Sequence, residues 1–278
     1  MTVHFITMPE LPEVETTRCS IAPHLTGEII IRVVIRERRL RWPVPLGLEE
    51  VLNGQVIRAV ERRAKYLILR IDHGSALLHL GMSGSLCILP ASTPAGKHDH
   101  IDLELASGQC LRLTDPRRFG SVLWTADPPE HHPLLCHLGP EPLGEDFTAA
   151  YLYALAQGRK IPVKSFIMNG HVVVGVGNIY ANEALFIAGI DPLRPAGGIS
   201  LSHYQHLVTA IRQVLTEAIA QGGTTLRDFV SGEGRSGYFQ QYLQVYGRKH
   251  LPCRRCGEPV HLCRLGQRAT YYCPHCQQ

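Results

Sequence analysis

Four cysteines near the end of the 278-residue chain constrain its fold more than any other feature. Cys253 and Cys256 form one Cys-x2-Cys pair, sixteen residues follow, and Cys273 and Cys276 form a second. Each such turn presents two thiolates to one ion, so the spacing is that of a zinc ribbon with tetrahedral sulfur ligation. A redox Cys-x2-Cys needs only one pair and usually a βαβ setting, which the surrounding sequence lacks. Four protein ligands leave no coordination position for water, so one structural zinc is expected. Cys263 lies between the pairs and reads as a spare thiol. Cys19, Cys87, Cys110 and Cys136 are scattered among apolar or strand-like neighbours, as small core residues would be. Met1 to Thr7 has no basic n-region and reaches Pro9 after too short an apolar stretch for an export signal. The compartment therefore reads as the reducing cytoplasm, with thiols free or metal-bound.

Charge follows the same division of the chain. Residues 235–278 carry seven Lys or Arg against one acid, Glu258, a net +6, and the remaining residues sum to −2. A basic end of this kind suits a polyanion, although a solvated basic terminus has the same composition. Mean hydropathy near zero and 19% charged residues exclude a disordered polyampholyte, and no apolar run approaches the length of a bilayer span.

Periodicity separates two regions. Short strand-like runs at Ile29–Ile35, Gln55–Val60, Tyr66–Ile71, Ala76–Leu80, Ile101–Leu105 and Ser121–Trp124 are broken by Gly and Pro turns, as in an antiparallel sandwich or barrel. A helix from Pro12 towards Leu25 precedes them, with proline in its first turn. The stretch Asp127–Gly144, rich in Pro and His, reads as a linker. Beyond it Tyr204, Leu207, Val208, Ile211, Leu215 and Ile219 make one apolar stripe over Leu201–Gln221, closed by Gly222 and Gly223.

Several words along the chain carry a specific resemblance. They are Met8-Pro9-Glu10-Leu11-Pro12-Glu13-Val14-Glu15, Leu40-Arg41-Trp42-Pro43, Arg62-Arg63-Ala64-Lys65-Tyr66-Leu67, His79-Leu80-Gly81-Met82-Ser83-Gly84 and Lys97-His98-Asp99-His100. Further on come Thr114-Asp115-Pro116-Arg117-Arg118-Phe119-Gly120, Val174-Gly175-Val176-Gly177-Asn178-Ile179-Tyr180 and Gln267-Arg268-Ala269-Thr270. From Met8 to the last cysteine the sequence resembles the bacterial formamidopyrimidine-DNA glycosylase family. The resemblance implies an α+β fold: an N-terminal β-sandwich catalytic domain (9–126), a linker (127–147), a helical DNA-binding domain with a helix-two-turn-helix (148–240) and a C-terminal zinc-ribbon hairpin (241–278). Residues 1–8 are then an extension or a removed leader.

The implied activity is excision of oxidised purines, 8-oxoguanine and formamidopyrimidines, followed by strand nicking through β,δ-elimination. The implied partner is double-stranded DNA with an oxidised purine or abasic site, bound by a monomer, without a membrane or a nucleotide cofactor. By residue match, Pro9 is the nucleophile, Glu10 the acid that protonates the opening sugar and Glu13 a supporting carboxylate. Lys65 matches the group for β-elimination and Arg268 the group for δ-elimination. Met82, Arg117 and Phe119 match the residues that fill the duplex once the damaged nucleotide has left it. His98, Arg159, Lys164 and Asn178 match DNA-backbone contacts.

The residues make chemical sense in these roles. An α-amino group has a pKa near 8, about two units below lysine, so a useful fraction is neutral at pH 7. A secondary amine that attacks C1′ gives an obligatorily cationic iminium, which acidifies C2′ and promotes elimination. A flipped nucleotide leaves a hole and an orphan cytosine, which an apolar wedge and a bidentate donor fill. Read without the resemblance, Lys65 is a solvated strand residue and Met82 and Phe119 are exposed loop residues.

Other readings are weaker. His98-Asp99-His100 has no further clustered ligands for a second zinc. Gly175-x-Gly177 lacks the third glycine of a dinucleotide fingerprint. Asp228–Tyr238, with Gly232, Gly234 and Gly237, resembles a mobile loop that closes over the flipped base. A catalytically silent DNA-binding zinc ribbon would retain the basic tail and lose Glu10, Lys65 and Arg268, and none is lost. The related pyrimidine-preferring branch is disfavoured by the Glu-Leu-Pro-Glu start and by the Met82, Arg117, Phe119 set. Two departures stand out: Met1–Thr7 precede the family's start, and Ser165 follows Lys164 where relatives often carry proline. Translation from Met8, or removal of the extension, is the expected resolution of the first.

Overall fold

The computed structural model describes residues 9–223 and 239–278, arranged in two compact units. Among the described residues, the first unit holds the chain to Cys136 together with Gln221–Gly223, and the second holds His137–Ala220 and Phe239–Gln278. The segment Asp228–Tyr238 lies outside the described residues.

The first unit opens with α1 (Leu11–Leu25), which Glu10 caps and in which Pro12 sits where no intrahelical N–H is required. Two four-stranded antiparallel sheets follow. Their strands are β1 (Ile30–Ile35), β2 (Ala59–Arg63), β3 (Tyr66–Ile71), β4 (Gly74–His79), β5 (Ser85–Pro90), β6 (Asp99–Leu105), β7 (Gln109–Thr114) and β8 (Ser121–Thr125). One sheet has the order β1-β6-β7-β5 and the other β2-β3-β4-β8, with the short helix α2 (Leu48–Leu52) between β1 and β2 in sequence. Period-2 alternation aims Leu67, Leu69, Ala76 and Leu78 from one sheet and Leu86, Leu103, Leu111 and Leu113 from the other into a shared core, which Ile21 and Leu25 of α1 join. Each fully buried leucine there contributes about 1.5–3 kcal/mol of transfer free energy.

Three local expectations change. The run Gln55–Val60 is not one strand: β2 starts at Ala59, because the two-residue turn Ala64-Lys65 pairs Arg63 with Tyr66 and so sets the register. Strands β5 and β7 are not among the sequence expectations, and for β7 the reason is visible in Arg112. Its guanidinium is buried within β7 and donates to both oxygens of Asp102 on β6, at 2.8 Å each. A central charge hides the strand pattern until its cross-strand partner is known. Cys19 and Cys136 are exposed, in contrast to a core role, while Cys110 is buried and Cys87 half-buried. Cys19 sits on the outer face of α1, where its thiol contacts Arg18 and Glu15.

The second unit contains α3 (Ala149–Ala156), α4 (Val163–Ile167), α5 (Asn178–Ala188), α6 (Leu201–Ala220) and the antiparallel hairpin β9 (His261–Leu265) and β10 (Arg268–Tyr272). On α6 the expected stripe is buried from Tyr204 to Leu215; Val214 and Ala218 complete it, and Ile219 is only half-buried. Helix α5 is buried along Ile179–Phe186 and ends at Gly189, whose φ of +71° suits the left-handed cap. Glu183 on α5 accepts three backbone N–H groups, from Gln244 (2.7 Å), Val245 (3.0 Å) and Tyr246 (2.8 Å). Burial pushes its carboxyl up, and those three donors oppose the shift. The bonds fasten the chain to α5 just before the cysteine module. Among the described residues no helix is long and apolar enough to cross a membrane.

Candidate functional site

In the first unit the amino-terminal word becomes a helix start. Pro9 is buried, Glu10 is 2% exposed and Glu13 3% exposed. The Glu10 N–H donates to Glu13 Oε2 at 2.9 Å, one half of a capping box. Glu13 therefore fixes the Pro9–Glu10 peptide. In the other half the Glu10 side chain accepts the Glu13 backbone N–H, so both carboxyl groups sit in a largely water-excluded setting.

Lys65 occupies the β2–β3 turn, immediately after Ala64 at φ 55°, a left-handed conformation that costs a non-glycine residue about 1 kcal/mol or more. Arg62 holds that turn: Nη1 donates to the Ala64 carbonyl (2.9 Å) and Nε to Glu15 on α1 (2.8 Å). The hairpin bearing Lys65 is thus tied to the helix that Glu10 caps. Burial pushes the Glu15 carboxyl up, yet its hydrogen bonds from Arg18 and Arg62 leave it below the usual range. Sequence reading missed Arg62 and Glu15 in this part, although both lie within the quoted words.

Met82 and Phe119 lie on two loops of the same unit. Phe119 is 41% exposed, with the Arg117 guanidinium over its ring at 4.8 Å from the centroid. His79 supports the first loop, because its Nδ1 accepts the Gly81 N–H at 2.9 Å. Burial, aided by the charges of Lys65 and Arg41, pushes the imidazole down to about 4, so it remains a neutral acceptor at pH 7. His98 is half-buried, and its carbonyl accepts the Asp115 N–H at 2.9 Å.

In the second unit Lys164, Ser165, Met168, Asn169 and Leu265–Arg268 line a cavity of about 340 Å³. Arg268 is exposed at the start of β10, and Arg159 is exposed on a loop after α3. Lys164 departs from the expected backbone contact. It is 1% exposed, and its ammonium donates to Asn178 Oδ1 (2.7 Å), the Ala269 carbonyl (2.8 Å) and Thr270 Oγ1 (2.7 Å). An ammonium has three protons, so these acceptors use its donor capacity. Lys164 thus ties the half-buried Asn178 at the start of α5 to the buried strand that follows the exposed Arg268.

That geometry predicts a salt signature. Each phosphate neutralised by a cation contributes about −0.9 to the slope of log K against log salt. Lys164→Met is expected to weaken duplex binding while leaving this slope unchanged, whereas Arg268→Ala is expected to flatten it by about one unit. Fluorescence anisotropy of a labelled abasic duplex across a salt series measures both; a one-unit change for Lys164→Met would show that its ammonium reaches a phosphate.

The cysteine module closes this unit. The Sγ atoms of Cys253, Cys256, Cys273 and Cys276 all lie within 4.8 Å of one another, with Cys253–Cys276 at 3.9 Å and Cys256–Cys273 at 3.5 Å. A zinc tetrahedron with bonds of about 2.3 Å has sulfur–sulfur edges of about 3.8 Å, so the four thiols fit the ion. They hold one structural zinc, which fixes the hairpin that carries Arg268. Cys263 on β9 pairs with Thr270 in the hairpin register and is not part of the quartet.

Residues 8–122 match the formamidopyrimidine-DNA glycosylase N-terminal domain, residues 138–230 the H2TH domain of the same proteins, and residues 251–278 a zinc finger found in FPG and IleRS. The chain is 61% identical over 271 residues to the formamidopyrimidine-DNA glycosylase of Methylococcus capsulatus, covering 98% of this chain and all of that one. The chain belongs to the formamidopyrimidine-DNA glycosylase family. The homologue from Stutzerimonas stutzeri is 60% identical over the same coverage. Among solved glycosylase structures, MutM (Fpg) from Thermus thermophilus superposes with a TM-score of 0.87 at 36% identity, over 97% of this chain and 98% of that chain. A Lactococcus lactis Fpg variant in complex with Fapy-dG-containing DNA gives 0.90 at 32% identity, over 97% of this chain and all of that chain. The α+β architecture with its zinc hairpin is that of the glycosylase family.

Proposed function

We propose that this protein is a bifunctional DNA glycosylase and abasic-site lyase of base excision repair, acting on oxidised purines in duplex DNA. The observation that carries the reading is the buried Pro9-Glu10 start of α1, with Glu13 bonded to the Glu10 amide. Full-length identity of about 60% to glycosylases supports it.

In this reading the working chain begins at Pro9, after loss of residues 1–7 and Met8; the glycosylase family match starting at residue 8 is consistent with that. The Pro9 nitrogen attacks C1′ of the damaged nucleotide, and the C1′–base bond breaks with release of the oxidised purine, which takes up a proton; Glu10 then protonates the sugar ring oxygen and the C1′–O4′ bond breaks, opening the ring. The Pro9 nitrogen gives up its single hydrogen as the ring opens, and its lone pair forms the C=N bond, so the product is a cationic iminium with no N–H left to lose. That cation takes up the electron pair when a proton leaves C2′, and the 3′ C–O bond to phosphate breaks. A second elimination breaks the 5′ C–O bond. Lys65 serves the first elimination and Arg268 the second. Met82, Arg117 and Phe119 fill the vacated stack and address the orphan cytosine; His98, Arg159 and Asn178 hold the backbone, with Lys164 holding Asn178. Its place is the cytoplasm, on nucleoid DNA.

Steady-state excision from duplexes that differ only in the lesion tests the substrate class. The protein is expected to release 8-oxoguanine and formamidopyrimidine faster than thymine glycol, and a clear win for the pyrimidine would overturn the purine assignment. Binding without release of any base would favour a silent DNA-binding protein.

A further inference from the structure

The two loops that bear Met82 and Phe119 meet at one fully buried carboxylate. Asp115 is 0% exposed. Its Oδ1 accepts the Ser83 hydroxyl at 2.7 Å and the Arg117 N–H at 3.3 Å, and its Oδ2 accepts the Gly120 N–H at 2.7 Å. The Ser83 oxygen accepts in turn from the same Arg117 N–H at 3.2 Å. The backbone of Asp115 is equally engaged: its N–H donates to the His98 carbonyl at 2.9 Å, and its carbonyl meets His100 Nε2 at 2.8 Å and the Arg118 N–H at 3.2 Å. Arg117 itself and the residues that follow Met82 and Phe119 are thereby bonded to one side chain.

The loops have no slack elsewhere. Gly81 has φ +63°, and a Cβ there would lie 2.3 Å from the Phe119 carbonyl carbon. A Cβ at Gly120 would lie 2.8 Å from the His79 carbonyl oxygen. The two backbones are in direct contact, and Arg118 is held at φ 57°, a strained conformation for arginine. Strain of this kind persists only where surrounding bonds over-determine it, and Asp115 supplies them on both sides of Arg118.

We propose that Asp115, acting with Ser83, is the positioning residue that locks the Met82 loop and the Arg117–Phe119 loop into one rigid wedge. Asp115 touches no substrate; it acts through the residues inserted into the stack. The proposal rests on the wedge role given to Met82, Arg117 and Phe119 above. Its consequence is selective. Removing a base from a duplex requires the nucleotide to be expelled and the opposite cytosine to be read, whereas attack on an abasic site in a single strand needs the Pro9 amine with Glu10, and its nicking Lys65 and Arg268, but no wedge.

Asp115→Asn, Ser83→Ala and Phe119→Ala test this together. An asparagine must turn its NH2 either towards Gly120, whose buried N–H then loses its acceptor, or towards Ser83, whose hydroxyl then loses its own, and either loss costs roughly tenfold. Asp115→Asn is therefore expected to lower kcat/KM on an 8-oxoguanine:cytosine duplex by about tenfold or more, and to narrow the preference for cytosine over adenine opposite the lesion. Ser83→Ala, which removes one hydrogen bond, is expected to move both readouts the same way by a smaller factor. Borohydride trapping on a single-stranded abasic oligonucleotide is expected to stay at the parental level for both. Parental duplex kinetics and base preference in Asp115→Asn, alongside an impaired Phe119→Ala, would overturn the lock. Equal losses on duplex and single strand with a native melting temperature would also overturn it. Unchanged duplex excision by Phe119→Ala would instead sink the wedge reading. If Asp115→Asn does not fold, Ser83→Ala decides by the same two readouts.

Discussion

A chain that begins at Pro9 is expected to form a borohydride-trapped adduct with an 8-oxoguanine duplex, and a chain that keeps Met1–Met8 is expected to give only background. In the longer chain the Pro9 nitrogen is a tertiary amide, with no hydrogen and no basic lone pair, so it cannot add to C1′. Freed as an α-amine with a pKa near 8, it has a substantial neutral fraction at physiological pH. The effect is all-or-none, because no change in binding restores a nucleophile that does not exist. Expression of the two forms, verified by intact mass and then assayed on one substrate, measures it. Equal trapping would show that the amine lies elsewhere in the chain.

Removal of zinc is the second large effect. In zinc-finger peptides the apparent binding free energy of the metal is about 10–16 kcal/mol, and most of it is folding free energy. Here the quartet closes the hairpin whose exposed end is Arg268, and Lys164 bonds to Ala269 and Thr270 on the same strand. Chelation, or Cys256→Ser, is expected to lower affinity for an abasic duplex by about 10- to 100-fold, the worth of one charge-assisted hydrogen bond, and to suppress the second elimination more than base release. The sandwich, with its own core, is expected to keep its melting transition. A chromophoric chelator should titrate one zinc per chain. Full duplex affinity after complete zinc loss would contradict a structural role for the metal.

What was legible in the sequence depended on local spacing. The cysteine quartet, the proline in the first turn of α1 and the stripe from Tyr204 to Leu215 each follow from neighbours within a turn or a short hairpin, and the structure carries all three. What was not legible depends on partners distant in sequence. Arg112 looks like a break in a strand until Asp102 pairs with it from the next strand. Lys164 reads as a DNA-backbone contact, and only Thr270, a hundred or so positions on, shows its ammonium donating inside the protein. Asp115 sits within a quoted word, yet only Ser83 and Gly120 reveal it as a buried hub. Charged residues drawn inside by long-range bonds are the common element, since composition assigns every such residue to the surface.

The central claim, base release and strand nicking through the Pro9 amine, is tested most directly by digesting the borohydride-trapped complex and locating the sugar remnant by mass spectrometry. A single modified peptide is expected, with the modification on the nitrogen of an amino-terminal Pro9. Modification of Lys65, or a trapped complex formed equally well with Pro9 acylated, would contradict it.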